Sequence, residues 1–253
     1  MIGRLCVGPL VNRTTVAGVT DPPPFGTTEI LAGVDGASSV LDVGCGGGRL
    51  TVALAQAGAA VTGIDTSHER LSQARERAAR AGVELDLREH DFDEPLPFPD
   101  ASFGAVVSRL ALMAARDPVA TLRELARVCE AGGRIVTALW ASPDENPWLA
   151  LPREAVGAAL GAERAGFARA FGRLGEPAEA AAVHRAAGFR NVEATVLREL
   201  RHGDDTAAYW EALAAENGHF RRVDETLGAG DRSALLLEVE RRLAPFARDG
   251  RLA

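Results

Sequence analysis

Val40-Leu41-Asp42-Val43-Gly44-Cys45-Gly46-Gly47-Gly48-Arg49-Leu50 is the stretch on which the reading of this 253-residue chain turns. Apolar residues flank one acid, glycines follow at alternate positions, and Leu50 to Ala57 has the pattern of a helix. A buried strand therefore runs through a tight turn into a helix N-terminus. Glycine is needed there because the turn demands backbone angles, or a ligand approach, that a side chain would block. The helix start offers free N–H groups, so the unit reads as a nucleotide cradle.

Downstream the same pattern repeats. Ser39 to Val43 is a continuous apolar run around its acid, as expected of a parallel strand covered on both faces, and Ala59 to Ile64 is a second. Asp65 ends that second run, twenty-one positions after Gly44. In a right-handed βαβ unit its carboxylate lies beside the glycine turn and can accept both hydroxyls of a ribose. The plainer reading of Asp65 is a cap for the helix Ser67 to Ala81, a role that Thr66 or Ser67 could fill as well. Gly82 ends that helix, and Val83 to Arg88 reads as a third strand delivering His90-Asp91-Phe92 to the same sheet edge. A carboxylate beside an aromatic suits an amino group on a purine face. Phe103 to Ser108 is the fourth strand, so Ser108-Arg109 falls at the C-terminal edge of the sheet. Pro118 opens a helix that the Gly132-Gly133 pair is expected to stop, and Ile135 to Trp140 is the fifth strand. Five strands alternating with helices imply an α/β fold with a doubly wound, mostly parallel sheet.

The flanks are less regular. Residues 1–35 read as an N-terminal arm, rich in Gly, Pro and Thr up to Gly26, with a short helix from Thr27 to Gly33. Residues 36–145 form the cofactor-binding core. Residues 146–253 supply further helices, a sixth strand at Val192 to Leu200, and two amphipathic helices at Asp204 to Glu216 and Ser233 to Phe246, expected as a wall or lid over a substrate.

Composition narrows the chemistry. A net charge of −7 argues against nucleic acid or an anionic membrane as the main partner, and makes a small molecule the default. Cys6, Cys45 and Cys129 form neither a metal-ligand pattern nor a disulfide framework, so no metal is expected and the cytoplasm is the natural compartment. All 28 basic residues are arginine. This removes Schiff-base lysines and a Walker-type lysine on a triphosphate.

Taken together, Asp42 to Gly48, Asp65, Asp91-Phe92, Pro97-Phe98-Pro99-Asp100 before the strand at Phe103, Ser108-Arg109, Gly132-Gly133 and Ala187-Gly188-Phe189 resemble the class I S-adenosylmethionine-dependent methyltransferases. The likeness covers roughly residues 38–200 and is closest to the small-molecule group similar to the ubiquinone and menaquinone C-methyltransferases, the type 11 methyltransferase domain. It implies S-adenosylmethionine as cofactor, S-adenosylhomocysteine as product, and methyl transfer to oxygen, nitrogen or carbon of a biosynthetic small molecule. It implies that Asp42 meets the methionine amino group and that Gly44, Cys45, Gly46 and Gly48 pass under the methionine and ribose. Asp65 with Thr66 would hold the ribose, Asp91 and Phe92 the adenine, and Ser108 the methionine end. Arg109 is the candidate for orienting the acceptor, and His202 and His219 are the candidates for a base. The chain departs from that family at both ends: residues 1–26 do not match its N-terminal helix, and the last antiparallel strand is not legible. The N-terminal arm or a second copy, in a homodimer, would then cover the sheet edge. Two other readings stay open. One is a protein of this fold that binds the cofactor without transferring methyl. The other is a nicotinamide-dependent oxidoreductase, which wants a glycine where Arg49 stands.

Overall fold

The computed structural model of the protein describes residues 2–8, 24–164, 172–197, 205–248 and 251–252. The described residues divide into two compact units, 2–8, 24–141 and 172–197 in the first, and 142–164, 205–248 and 251–252 in the second.

The first unit holds strands β1 (Ile2–Gly8), β2 (Ser39–Val43), β3 (Ala60–Asp65), β4 (Asp86–Glu89), β5 (Phe103–Arg109), β6 (Cys129–Trp140) and β7 (Asn191–Val196). Its helices are α1 (Thr27–Gly33), α2 (Arg49–Gln56), α3 (His68–Ala81), α4 (Pro118–Val128) and α6 (Pro177–Ala186), and α5 (Pro147–Leu160) belongs to the second unit. The strands form one sheet in the order β4-β3-β2-β5-β6-β1-β7 with every pairing parallel. This is the expected doubly wound α/β sheet. Val40, Ala105, Val107 and Val136 pack with Ile30, Val34, Leu50, Leu54 and Val61 on one face. The alternate residues Val106 and Ile135 point the other way, where α4 packs on β6 and contributes the buried Leu122 and Leu125. Each fully buried aliphatic side chain contributes roughly 1.5–3 kcal/mol.

Residues 2–8 are not an irregular arm. They form β1, seated between β6 and β7, with Ile2 to Gly8 opposite Arg134 to Trp140. Two parallel neighbours give this backbone partners on both edges, and that tertiary pairing overrides the local glycine content. The N-terminal segment thus stands beside the last strand of the sheet, parallel to it.

Other boundaries move for local reasons. Helix α4 ends at Val128, before the glycine pair, because the N–H groups of Ala101 and Ser102 take the carbonyls of Arg127 and Val128. Strand β6 then starts at Cys129, with an irregularity against β5 between Phe103 and Ala105. Strand β4 starts at Asp86 rather than Val83, since Gly82 turns left-handed and the Val83 N–H bonds the Ala78 carbonyl to close α3. Strand β7 ends at Val196, and residues 198–200 of the expected sixth strand lie outside the described residues.

The second unit is helical: α5, α7 (Thr206–Glu216), α8 (Gly218–Glu225) and α9 (Ala229–Leu243), with a two-residue antiparallel pair β8 (Ala247–Arg248) and β9 (Arg251–Leu252). Helix α8 has no counterpart in the sequence reading because it starts on a glycine, and Asn217 caps it by accepting the His219 N–H. Trp210 and Phe220 meet edge to face at 5.4 Å, the Trp210 indole donates to Asp224, and the Tyr209 hydroxyl donates to the Trp148 carbonyl. These aromatics, with Trp148, are buried in the interior of their own unit. Among the described residues no helix is long and apolar enough to cross a membrane.

Candidate functional site

The sheet reverses its winding between β2 and β5, where the chain leaves β4 at one side and returns as β5 on the other side of β2. Open α/β sheets bind ligands beyond the strand ends at such a point. Asp42 lies opposite Val107 there, so Asp42 and Ser108 each stand one residue before the end of the two strands flanking the reversal. The register Asp65 opposite Glu89 brings His90 and Asp91 to the same edge.

The glycine turn is built by contact as well as by backbone angle. Gly44 has φ 72, and a Cβ there would stand 2.3 Å from the Ala111 Cβ. Gly48 has φ 76, and its Cβ would meet the Ala74 Cα at 2.9 Å, so α3 can approach α2 only over a glycine. The N–H groups of Gly44 and Cys45 both donate to the Ile64 carbonyl at 2.9 Å, fixing the turn to β3. The Cys45 side chain is buried against Gly63, and burial, with the charges of Asp42 and Asp65, pushes its thiol far up. Cys45 therefore offers a ligand its main chain and no thiolate.

Three carboxylates stand along this edge of the sheet. Asp42 is buried, and its Oδ2 accepts from the Thr51 hydroxyl at 2.7 Å. Burial pushes its pKa from 3.8 up to about 6, opposed by the Thr51 bond and the Arg109 charge and assisted by Asp65. Asp65 is buried too, and joins the two halves of the cradle: Oδ2 accepts from the Gly46 N–H at 2.9 Å and Oδ1 from the Ser67 N–H at 3.0 Å. The Arg70 guanidinium stands 3.8 Å from Oδ2. Ser67, not Thr66, caps α3 by accepting the Arg70 N–H, and Thr66 is exposed. Asp91 is half-exposed, accepting from the Asp93 N–H at 2.9 Å and from Arg116 at 3.3 Å, with Phe92 half-buried beside it.

Ser108 Oγ is buried without a hydrogen-bond partner, as is His90 Nε2. A buried hydroxyl lacking a partner costs free energy, so Ser108 marks a place where a polar ligand group belongs. Arg109 donates through Nε to the Phe25 carbonyl at 3.0 Å and faces Asp42 electrostatically. With Phe25, Leu110, Leu139, Trp140 and Leu197 it lines a small apolar cavity. Leu110, which follows it, is held at φ 60 with its N–H on the Ala138 carbonyl, a strained non-glycine position at the sheet edge.

His219 lies in the second unit, half-buried and 5.4 Å from the Phe220 ring, where burial and then the charges of Arg222 and Arg153 push its pKa down. His202 lies outside the described residues. His184 is fully buried, its Nδ1 2.7 Å from the Ala180 carbonyl and Nε2 3.1 Å from the Thr137 hydroxyl. A carbonyl only accepts, so Nδ1 carries the proton and the neutral ring ties α6 to β6.

Two contributors escaped the sequence reading. Thr51, nine positions after Asp42, is the fully buried hydroxyl on an otherwise apolar helix face that holds the carboxylate. Arg116 holds Asp91, but its charge looks like any solvated arginine in sequence. The polar groups at this edge are carboxylates, each faced by an arginine (Arg109, Arg70 and Arg116), with the unpartnered Ser108 hydroxyl and the His90 Nε2. The buried Asp42 and Asp65 carboxylates fit an ammonium tail and free ribose hydroxyls.

A family described as a methyltransferase domain matches residues 41–137. The chain is 40% identical over 116 residues to a phosphatidylethanolamine N-methyltransferase of Cereibacter sphaeroides, covering 45% of this chain and 56% of that one. It is 40% identical over 114 residues to a demethylmenaquinone methyltransferase of Tropheryma whipplei, covering 45% of this chain and 46% of that one. A solved S-adenosylmethionine-dependent methyltransferase from Mesorhizobium loti is similar at 30% identity and TM-score 0.39, over 44% of this chain and 50% of that one. The chain spans between 39% and 56% of the length of these and other curated relatives.

Proposed function

We propose that this chain, whose residues 41–137 match a methyltransferase domain, takes S-adenosylmethionine as donor and moves its methyl group to oxygen, nitrogen or carbon of a small biosynthetic molecule. The observation that carries the reading is the pair of buried polar groups at the winding reversal, the Asp42 carboxylate and the unpartnered Ser108 hydroxyl, beside a glycine turn tied to Asp65.

When bound, S-adenosylmethionine supplies an activated methyl on a sulfonium, whose sulfur keeps the bond's electron pair as the acceptor takes the methyl. The chain's task is then to bind, orient and exclude water. Asp42 would pair with the ammonium of the methionine part, Ser108 would bond its polar end, Asp65 would take the ribose hydroxyls on its remaining lone pairs, and Asp91 would accept the adenine amino group. Arg109, which would orient a carbonyl or anionic oxygen of the acceptor, lines a cavity with room for about one water. The named relatives act on phosphatidylethanolamine in one case and on demethylmenaquinone in the other.

The test is to incubate the protein with methyl-labelled donor and a cell extract separated by ultrafiltration. Label moving into the low-molecular-weight or lipid fraction, with S-adenosylhomocysteine released in equal amount, supports the reading. Label that stays on the donor, or moves to protein or nucleic acid, overturns it.

A further inference from the structure

The adenine edge is held by an arginine relay that binding alone does not require. Arg116 stands in the turn before α4. Its backbone N–H bonds both oxygens of Asp93 at 3.0 and 3.1 Å, and its Nε returns to Asp93 Oδ2 at 3.1 Å. Its Nη2 reaches Asp91 Oδ2 at 3.3 Å and Glu94 at 2.9 Å. One guanidinium thus spans three carboxylates of the turn after β4. The other oxygen of Asp91 accepts the Asp93 N–H. Both oxygens of Asp91 are therefore fixed in direction, each with a lone pair to spare.

A second arginine fixes the first. Arg173, which precedes α6, donates to the carbonyls of Met113 and Arg116 at 3.4 Å and to that of Ala115 between them. These carbonyls end the short 3-10 turn Leu112–Ala114 that follows β5, and Asp117 immediately caps α4 by accepting from Val119 and Ala120. The turn carrying Arg116 is consequently clamped on both sides.

We propose that Arg116 is a positioning residue for the nucleobase: acting through Asp91, and supported by Arg173, it sets the selectivity of the site for adenine over hypoxanthine. The proposal rests on the cofactor reading above. Adenine presents an amino donor where hypoxanthine presents a carbonyl, so a carboxylate locked in place accepts from one and repels the other. A carboxylate free to rotate toward solvent discriminates less. A tether that only stabilises the loop would weaken both nucleosides alike.

The test is calorimetric titration with S-adenosylhomocysteine and S-inosylhomocysteine. The native protein should favour the adenine form by about tenfold or more, the worth of one charge-assisted hydrogen bond. Arg116→Ala should bring that ratio close to one while changing affinity for the inosine form by less than about twofold, and Arg116→Lys should recover part of it. Arg173→Ala should shift the ratio in the same direction and carries the test if Arg116→Ala does not fold. An unchanged ratio, or an equal loss for both ligands, overturns the proposal. Asp65→Ala separates the two levels: if it binds S-adenosylhomocysteine as the native protein does, the cofactor reading fails. If it loses that binding while the Arg116→Ala ratio is unchanged, the relay alone fails.

Discussion

Replacing Asp42 by asparagine should make the ligand-free protein more stable at alkaline pH while weakening its affinity for the cofactor. The carboxylate is buried with one hydroxyl partner, and burial moves its pKa from 3.8 to about 6. That displacement corresponds to roughly 3 kcal/mol of disfavour for the charged form. The unfolded chain releases this proton near 3.8 and the folded chain near 6. The folded state therefore holds more protons between those values, and its stability falls as pH rises through them. An amide keeps the bond with Thr51 and removes the buried charge, although its NH2 group gives back about 1–2 kcal/mol if it finds no partner. Urea denaturation of both proteins should show the variant gaining roughly 2–3 kcal/mol on the native protein between about pH 4 and pH 8. Titration with S-adenosylhomocysteine should show the opposite: affinity down about ten- to hundredfold at pH 8 with the ammonium unpaired. Native affinity should itself decline below about pH 6 as Asp42 protonates. A variant that parallels the native protein at every pH, or that binds the ligand equally well, would refute this reasoning.

Three further outcomes are expected. Gly48→Ala should cost about 2 kcal/mol or more in urea denaturation, combining a left-handed backbone with a collision against α3, whereas Gly36→Ala, at φ 80 with nothing within 4 Å, should cost only about 1. His184→Ala should destabilise by about 3 kcal/mol at pH 8 by opening a cavity and releasing Thr137. Its burial holds the imidazole pKa below the ordinary 6.5, so the native protein loses stability as pH falls through 6.5 toward the lower folded value. That loss should be smaller in the variant, and parallel pH curves would argue against a buried neutral ring. Thr51→Val should raise the Asp42 pKa further, visible as a cofactor-binding midpoint moved to higher pH.

The site was legible wherever a residue type is forced by backbone geometry or by position at a strand end. Gly44 and Gly48 had to be glycine because Ala111 and Ala74 come so close. Asp42 announced itself as an acid inside an apolar strand, Asp65 as the acid that ends one, and Asp91 as an acid beside an aromatic just past a strand. Strand β1 was not legible, because what orders it is two neighbouring backbones more than a hundred residues away in sequence. Helix α8 was hidden by its leading glycine, and the end of α4 by a loop that satisfies its carbonyls from outside. Arg116 and Arg173 were illegible for a third reason. Nothing in an arginine's local sequence tells which of several carboxylates or carbonyls its fork will span.

The most direct measurement is a pair of calorimetric titrations, S-adenosylmethionine and NAD against the native protein and Asp65→Ala. A carboxylate fixed by the Gly46 and Ser67 N–H groups should give saturable one-to-one binding of S-adenosylmethionine, weakened about a hundredfold or more in the variant while its circular dichroism is retained, and no comparable binding of NAD. Binding of NAD in preference, or S-adenosylmethionine affinity unchanged by the loss of Asp65, would contradict the account.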